Sequence, residues 1–198
     1  MQPRDFFPRP RLDAVTDGVL AITMTLLVLS LDVPDTLPAG LWPALVELKP
    51  KLFSWLISFL ILAQFWVTQV RAMRDVEHID SGLFRIIVVW LACISLLPFA
   101  SSLIGEHPNY LGSHIVYATN LIGVELAVIW RSWHLRRHPA LFAPGADTRS
   151  AELWFRPLAV AGCAALSIAI ATLWSSRDSS IGYLLLFPLV FWWERRSR

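Results

Sequence analysis

The stretch RLDAVTDGVLAITMTLLVLSLDV, residues 11–33, decides the fold class. Between Gly18 and Leu31 it contains no ionisable side chain, and an apolar run of this length is typical of a membrane-spanning helix. Five further apolar stretches follow along the chain. Hydropathy therefore predicts one domain over residues 1–198 with six spans, at about residues 14–33, 52–70, 86–104, 114–130, 158–174 and 181–193.

The composition of the 198-residue chain agrees with a membrane protein. Hydrophobic residues make up 56% of the chain and charged residues 16%, with a mean hydropathy of +0.55. Soluble domains average roughly 45–50% apolar and 25% charged residues. The chain has too little charge to cover a soluble globule, which excludes a disordered segment and argues against a soluble enzyme or a nucleic-acid-binding protein. We expect an all-α polytopic integral membrane protein that is surrounded by lipid.

The basic residues predict the orientation of the spans. Fourteen arginines fall in the N-terminal segment, the loops after spans 2 and 4, and the C-terminal tail. The opposite side receives only Lys49, Lys51 and Arg177. Because cytoplasmic loops carry an excess of Lys and Arg, both termini are predicted to be cytoplasmic, which requires an even number of spans.

The first span carries a narrow apolar stripe. With Ile22 at 0° and a rotation of about 100° per residue, Leu26, Leu29 and Val33 fall within about 40° of it, and Thr25 flanks the stripe. Such a stripe ordinarily packs on a neighbouring helix. Alternatively, copies of this helix surround an axis, so that rings of apolar side chains form constrictions that gate by dewetting, with Thr25 as a polar layer. One chain has one such stripe, so this pore requires a symmetric oligomer.

Ionisable side chains inside the predicted spans are functional candidates because they are costly in hydrocarbon. Asp17, near the start of span 1, is interpreted as an anchor to another helix, with a helix cap or a proton carrier as alternatives. Glu125 in span 4 is interpreted as an interhelical hydrogen-bonding group. A proton or cation relay, or a side chain that reaches the cytoplasmic interface, remains open for Glu125. His114 lies at the edge of span 4.

His134 and His138 are four residues apart and could share a metal ion if their segment were helical. They fall in the predicted loop at 131–156, with no acidic or cysteine residue near them in the sequence, so we predict a solvated loop and no metal site. The chain also lacks a Ser–His–Asp order, a P-loop, a Gly-rich dinucleotide turn and a CxxC pair. We therefore expect no enzyme and no cofactor.

Several motifs carry a resemblance to a known family. Residues 11–21, RLDAVTDGVLA, are similar to the Arg-x-x-x-Phe-Ser-Asp signature of the transmembrane protein 175 family of potassium channels. Residues 22–29, ITMTLLVL, resemble the core of its first helix, and WLISFL at 55–60 with Phe65-Trp66 resembles its second. Trp90-Leu91, followed by SLLPF at 95–99 and by Gly105, resembles its third helix.

This resemblance implies a cation channel without a Thr-Val-Gly-Tyr-Gly filter, with K⁺ as the permeant ion and no cofactor. It implies a bacterial inner-membrane homotetramer of six-helix subunits in which the first helices line the pore. The family's constriction positions fall on Ile22, Leu26 and Leu29, and its polar layer falls on Thr25. These are the positions that the helical wheel selects.

The resemblance also assigns a supporting network. Arg11 and Asp17 match the signature and are expected to tie span 1 to its neighbours, whereas Val15 and Thr16 replace Phe and Ser. Trp66 and Trp90 belong to the supporting helices, where Gln69 stands for a His of the family and Ala92 for an Asn. We therefore expect an altered hydrogen-bond network under span 1.

Two other functions stay open at this point. A proton channel of the same fold would use Glu125, Asp17 or a chain of waters. A secondary transporter would need two related halves with broken helices, and the sequence shows no such repeat.

Overall fold

A computed structural model of the chain describes residues 6–32 and 40–146, and the regular structure in these ranges is helical. The α-helices are α1 Arg9–Leu26, α2 Leu41–Glu47, α3 Lys49–Met73, α4 Ser81–Ser95, α5 Leu97–Glu106 and α6 Leu111–Arg137. Short 3-10 turns follow α1 at Leu27–Ser30 and α6 at Pro139–Leu141. An antiparallel β-bridge joins Val76 to Phe142.

Four segments within the described residues are long and apolar enough to cross a membrane: Arg9–Ser30, Lys49–Met73, Ser81–Glu106 and Leu111–Arg137. They confirm the first four predicted spans, and each begins before the hydropathy boundary. The spans predicted at 158–174 and 181–193 lie outside the described residues.

The third predicted span, 86–104, is confirmed as a membrane-crossing segment, but it is divided into two helices. The chain ends α4 at Ser95, passes through Leu96 and starts α5 at Leu97. Pro98 causes this break because its ring nitrogen cannot donate the hydrogen bond that a continuous helix needs. Proline is tolerated in the first turn of a helix, and Pro10 and Pro50 occupy such positions in α1 and α3.

The predicted loop at 131–156 is also wrong over its first part. The fourth span continues as α6 to Arg137, so that Arg131 and His134 are helical. Hydropathy placed the end of the span at Trp130 because polar residues follow, but a helix can remain partly buried where its sequence becomes polar. Arg131 and Leu135 are both buried on this extension.

The helices pack in two main pairs, α4 against α6 and α3 against α5, and α1 contacts α3, α4 and α5. Side chains from all the long helices meet in one core, including the fully buried Leu62, Leu83, Ile94, Leu97 and Leu121. Gly105 permits close packing of α5 on α3, since a Cβ there would lie 3.1 Å from the Cα of Lys51.

Four hydroxyl groups form a buried network between α3, α5 and α6. The Ser54 hydroxyl donates to the Ser101 carbonyl at 2.8 Å, and the Ser58 hydroxyl donates to the Ser101 hydroxyl at 2.8 Å. The Ser58 oxygen also lies 2.9 Å from the Tyr117 hydroxyl. Because hydrocarbon offers no substitute partners, these hydrogen bonds fix the position of the three helices.

Replacing Ser101 with Ala is expected to lower the free energy of unfolding by about 1 kcal/mol, because the Ser58 hydroxyl loses its buried acceptor, whereas Ser54 keeps its hydrogen bond to the carbonyl of residue 101. Thermal unfolding of the purified protein in detergent measures this change as a lower melting temperature. Ser95→Ala is the matched control, since the exposed Ser95 hydroxyl donates only within its own helix, to the Ala92 carbonyl. Equal melting temperatures for the two variants would contradict the prediction.

Candidate functional site

The first helix attaches to the rest of the chain by one face. Its buried residues are Leu12, Thr16, Leu20, Thr23 and, in the following 3-10 turn, Leu27. Their spacing of three or four residues keeps them on one side of the helix. Leu27 is completely buried and Leu20 nearly so, which makes this face part of the core.

The predicted pore stripe lies on a different face of the same helix. Ile22 is 60% exposed, Leu26 43% and Leu29 67%. No helix within residues 6–32 and 40–146 therefore covers this stripe fully, although packing on a neighbouring helix is its ordinary role. The 3-10 turn at Leu27–Ser30 contributes to this arrangement, because residues three apart eclipse each other in a 3-10 helix and Leu29 stays above Leu26.

Thr25 is also exposed beside this stripe. Its hydroxyl donates a 2.7 Å hydrogen bond to the Ile22 carbonyl in the preceding turn. The hydroxyl proton is therefore satisfied within the helix, and the oxygen remains able to accept from water or to contact a cation. From residue 22 to residue 29 the helix carries no charged side chain.

Asp17 connects α1 to α3. The indole Nε1–H of Trp66 donates to Asp17 Oδ1 at 3.0 Å, and both side chains are partly exposed to solvent. The structure therefore brings together two residues that the sequence analysis selected for separate reasons. The geometry gives Asp17 a partner on a neighbouring helix.

Arg9, which the sequence analysis passed over, secures the start of α1. Its guanidinium donates to the Val76 carbonyl and, at 3.3 Å, to the Arg74 carbonyl, both in the segment that follows α3. It also pairs with Asp13 one turn later, at 3.4 Å. Arg11, which was expected to tie this helix to its neighbours, is exposed. No sequence pattern separated the roles of the two arginines.

The remaining signature positions have different environments. Val15 is 53% exposed, whereas Thr16 is buried. Among the described residues, the Thr16 hydroxyl and the indole nitrogen of the buried Trp90 have no hydrogen-bond partner. The expectation of an altered network at Gln69 and Ala92 stays a prediction.

Gln69 has a partner that the sequence analysis missed. The Gln69 side-chain oxygen accepts a hydrogen bond from Arg131, and both side chains are almost fully buried. Arg131 had been assigned to a loop, so no pattern linked it to α3. Six residues earlier on α6, Glu125 is also buried, at 4% exposure, so its side chain does not extend to the interface as one alternative required.

The comparisons with known proteins agree with one another. The sequence model of the family described as "Endosomal/lysosomal potassium channel TMEM175" matches residues 11–98. A relative from Streptomyces collinus, named a potassium channel, is 32% identical over 147 residues, which cover 72% of this chain and 71% of the relative. A zebrafish relative named "Endosomal/lysosomal proton channel TMEM175" is 21% identical over 91% of this chain, but the match covers only 36% of that longer protein.

A solved structure has a similar fold. The crystal structure of a homolog from Chamaesiphon minutus, titled a lysosomal potassium-selective channel TMEM175 homolog, superposes with a TM-score of 0.73. It is 27% identical, and the superposition covers 96% of this chain and 97% of that one.

Replacing Trp66 with Phe is expected to weaken the attachment of α1 to α3. Phenylalanine keeps an aromatic ring but lacks the N–H group that donates to Asp17. The expected loss is about 0.5–1.5 kcal/mol in the free energy of unfolding, at the lower end because the pair is partly solvated. Thermal unfolding in detergent measures it. Trp130→Phe on α6 is the control, since Trp130 is 46% exposed and Trp66 45%. A stability loss in both variants would show that the indole ring, and not its hydrogen bond to Asp17, is responsible.

Proposed function

The chain belongs to the TMEM175 family of channels, and from this premise we propose that it is a passive, potassium-permeable cation channel whose pore is lined by α1. The observation that carries the proposal is the division of α1 into two faces. One face is buried in the bundle, and the other presents Ile22, Leu26 and Leu29 to the outside of the chain. The chain is a multi-pass membrane protein, and the Streptomyces relative carries the name of a potassium channel.

Exposure of apolar side chains alone would also suit a helix that faces lipid. Two further features favour the pore. The same face carries the Thr25 hydroxyl, whose proton is bonded within the helix while its oxygen stays accessible. The apolar stripe also lies within the segment matched by the family model, which begins at residue 11.

We further propose a homotetramer of six-helix subunits in the bacterial inner membrane. Four copies of α1 around one axis would bury the exposed stripe of each subunit in a shared pore. The spans at 158–174 and 181–193 would complete an even number of crossings, with both termini in the cytoplasm, as the excess of arginine on that side favours.

Hydrophobic rings are poor ligands for a cation. Removing water from K⁺ requires oxygen ligands, which carbonyl-lined filters supply and side chains such as Leu29 do not. The constriction would therefore act as a gate that closes by dewetting, and discrimination among cations would be modest. The ring of Thr25 oxygens is the polar layer on which that discrimination would depend.

Leu29→Ala and Ile22→Asn are expected to raise potassium flux through the protein in liposomes. A smaller or polar side chain makes the constriction easier to wet, and a tenfold rise in flux corresponds to a barrier lower by about 1.4 kcal/mol. Potassium-loaded vesicles containing each purified variant measure the flux. Leu126→Ala is the matched control, because Leu126 is 60% exposed on α6 and lies outside the proposed pore.

An unchanged flux in Leu29→Ala and Ile22→Asn, from folded protein of wild-type oligomeric size, would place the conduction path elsewhere. A change of equal size in Leu126→Ala would indicate a general effect on the bilayer. A wild-type protein with no flux while Leu29→Ala conducts would still locate the gate on α1.

A proton channel of the same fold is the second candidate. The name of the zebrafish relative favours it, as does the buried carboxyl group of Glu125 in α6. If Glu125 carries protons, Glu125→Gln is expected to reduce proton flux at least about tenfold and to leave potassium flux unchanged, because an amide cannot be deprotonated in this range. A pH-sensitive dye in the same vesicles measures it, and an unchanged proton flux would exclude Glu125 as the carrier.

A further inference from the structure

Three metal-ligating side chains meet outside the proposed pore, where α4 begins and α6 ends. They are Asp80, His134 and His138, and one potential ligand atom from each lies within 4.8 Å of the other two. Asp80 precedes the first residue of α4, and the two histidines are one helical turn apart at the end of α6. The cluster therefore lies at the ends of the spans, where an ion from solution can reach it.

The side-chain geometry brings a ring nitrogen of each histidine close to the Asp80 carboxylate. His134 Nε2 lies 3.0 and 2.9 Å from the two Asp80 carboxylate oxygens, to which it donates. The His138 ring stacks on the His134 ring with centroids 4.2 Å apart, and His138 Nδ1 donates to the His134 carbonyl at 2.9 Å. In the neutral imidazole, that hydrogen bond places the proton on Nδ1, so that the Nε2 lone pair can bind a metal.

Two local features hold the first two ligands in place. The Asp80 carboxylate caps α4 by accepting from the Leu83 amide at 2.7 Å. Gly82 supplies the space for His134, since a Cβ at this position would lie 2.4 Å from His134 Cε1. An alanine there would displace the imidazole from Asp80.

We propose that Asp80, His134 and His138 bind one divalent transition-metal ion of the zinc class. Two imidazoles at positions i and i+4 with one carboxylate are a ligand set that zinc favours, and Ca²⁺ and Mg²⁺ prefer oxygen ligands. Binding replaces the His134–Asp80 hydrogen bond with two metal–ligand bonds and releases the Nε2 proton to solvent. A small rotation of the exposed His138 side chain closes the third bond, and a water takes the fourth position.

The role of His138 distinguishes a metal site from a contact that only connects two helices. Asp80 and His134 form a hydrogen bond that connects the start of α4 with α6 without any metal. His138 makes no hydrogen bond to Asp80 among the described contacts; it stacks on the His134 ring and bonds to the His134 carbonyl. A metal site requires His138, whereas the hydrogen bond between Asp80 and His134 does not.

The test is zinc binding by the full-length protein in detergent, with any affinity tag removed, followed by titration calorimetry with ZnCl₂. We expect one zinc ion per chain, and a dissociation constant at least about tenfold weaker in His138→Ala. The melting temperature of His138→Ala without metal is expected to stay near that of the wild type, because the residue is exposed. ZnCl₂ should raise the melting temperature of the wild type, as a ligand that binds only the folded state does, and MgCl₂ should not.

His107→Ala is the matched control, because His107 is an exposed histidine at the end of α5 and lies outside the cluster. Equal zinc affinity in the wild type and His138→Ala would overturn the proposal, as would the absence of zinc binding by the wild type at millimolar concentration. Asp80→Asn is a second test variant. Its zinc affinity is expected to fall, since asparagine can still cap α4 but is a poor zinc ligand. Should Asp80→Asn fail to fold, His138→Ala still decides the question.

Discussion

Hydrocarbon supplies no partners for polar groups, and the described part of this chain is arranged around that constraint. The backbone satisfies itself in helices, and the break at Leu96 occurs where Pro98 cannot donate. Side-chain hydroxyls of Ser54, Ser58, Ser101 and Tyr117 satisfy one another between three helices. The buried guanidinium of Arg131 donates to the Gln69 side chain. The contacts between helices also fix the relative positions of those helices. The same hydrogen bonds therefore satisfy polar groups and determine the packing of the bundle.

The first helix makes its contacts with the rest of the bundle on one face only. Its buried face joins the core, Asp17 accepts from Trp66, and Arg9 donates to the chain segment after α3. These contacts hold the helix without covering the stripe of Ile22, Leu26 and Leu29. A helix that is fixed along one side and apolar along another can line a shared pore without reorganisation. This favours the proposed gate, because gating by dewetting depends on a few hydrophobic side chains held at a constriction.

The sequence predicted the membrane-spanning helices better than it predicted the side-chain contacts between them. Four predicted spans, and the family to which the chain belongs, are confirmed. Hydropathy located these spans because apolar length is a local property. It misplaced the end of α6 because buried polar residues such as Arg131 look like loop residues when their partners are unknown. It dismissed His134 and His138 because Asp80, which contacts His134, lies 54 residues away in the chain. Arg9 and Arg11 have the same side chain and nearly the same position, so only the fold could assign their contacts.

By itself, the sequence determined that the chain is a polytopic helical membrane protein of this family, and which residues form the apolar stripe on the first helix. The spans and the stripe follow from composition and helical periodicity, which are local properties of the sequence, and the family follows from the sequence match over residues 11–98 and from the Streptomyces relative. Only the tertiary structure decided which face of that helix packs inward and which stays exposed. It alone placed Trp66 against Asp17, and Asp80 beside two histidines. Side-chain partners from distant segments are chosen by helix packing, and packing depends on the shapes and angles of all the helices together.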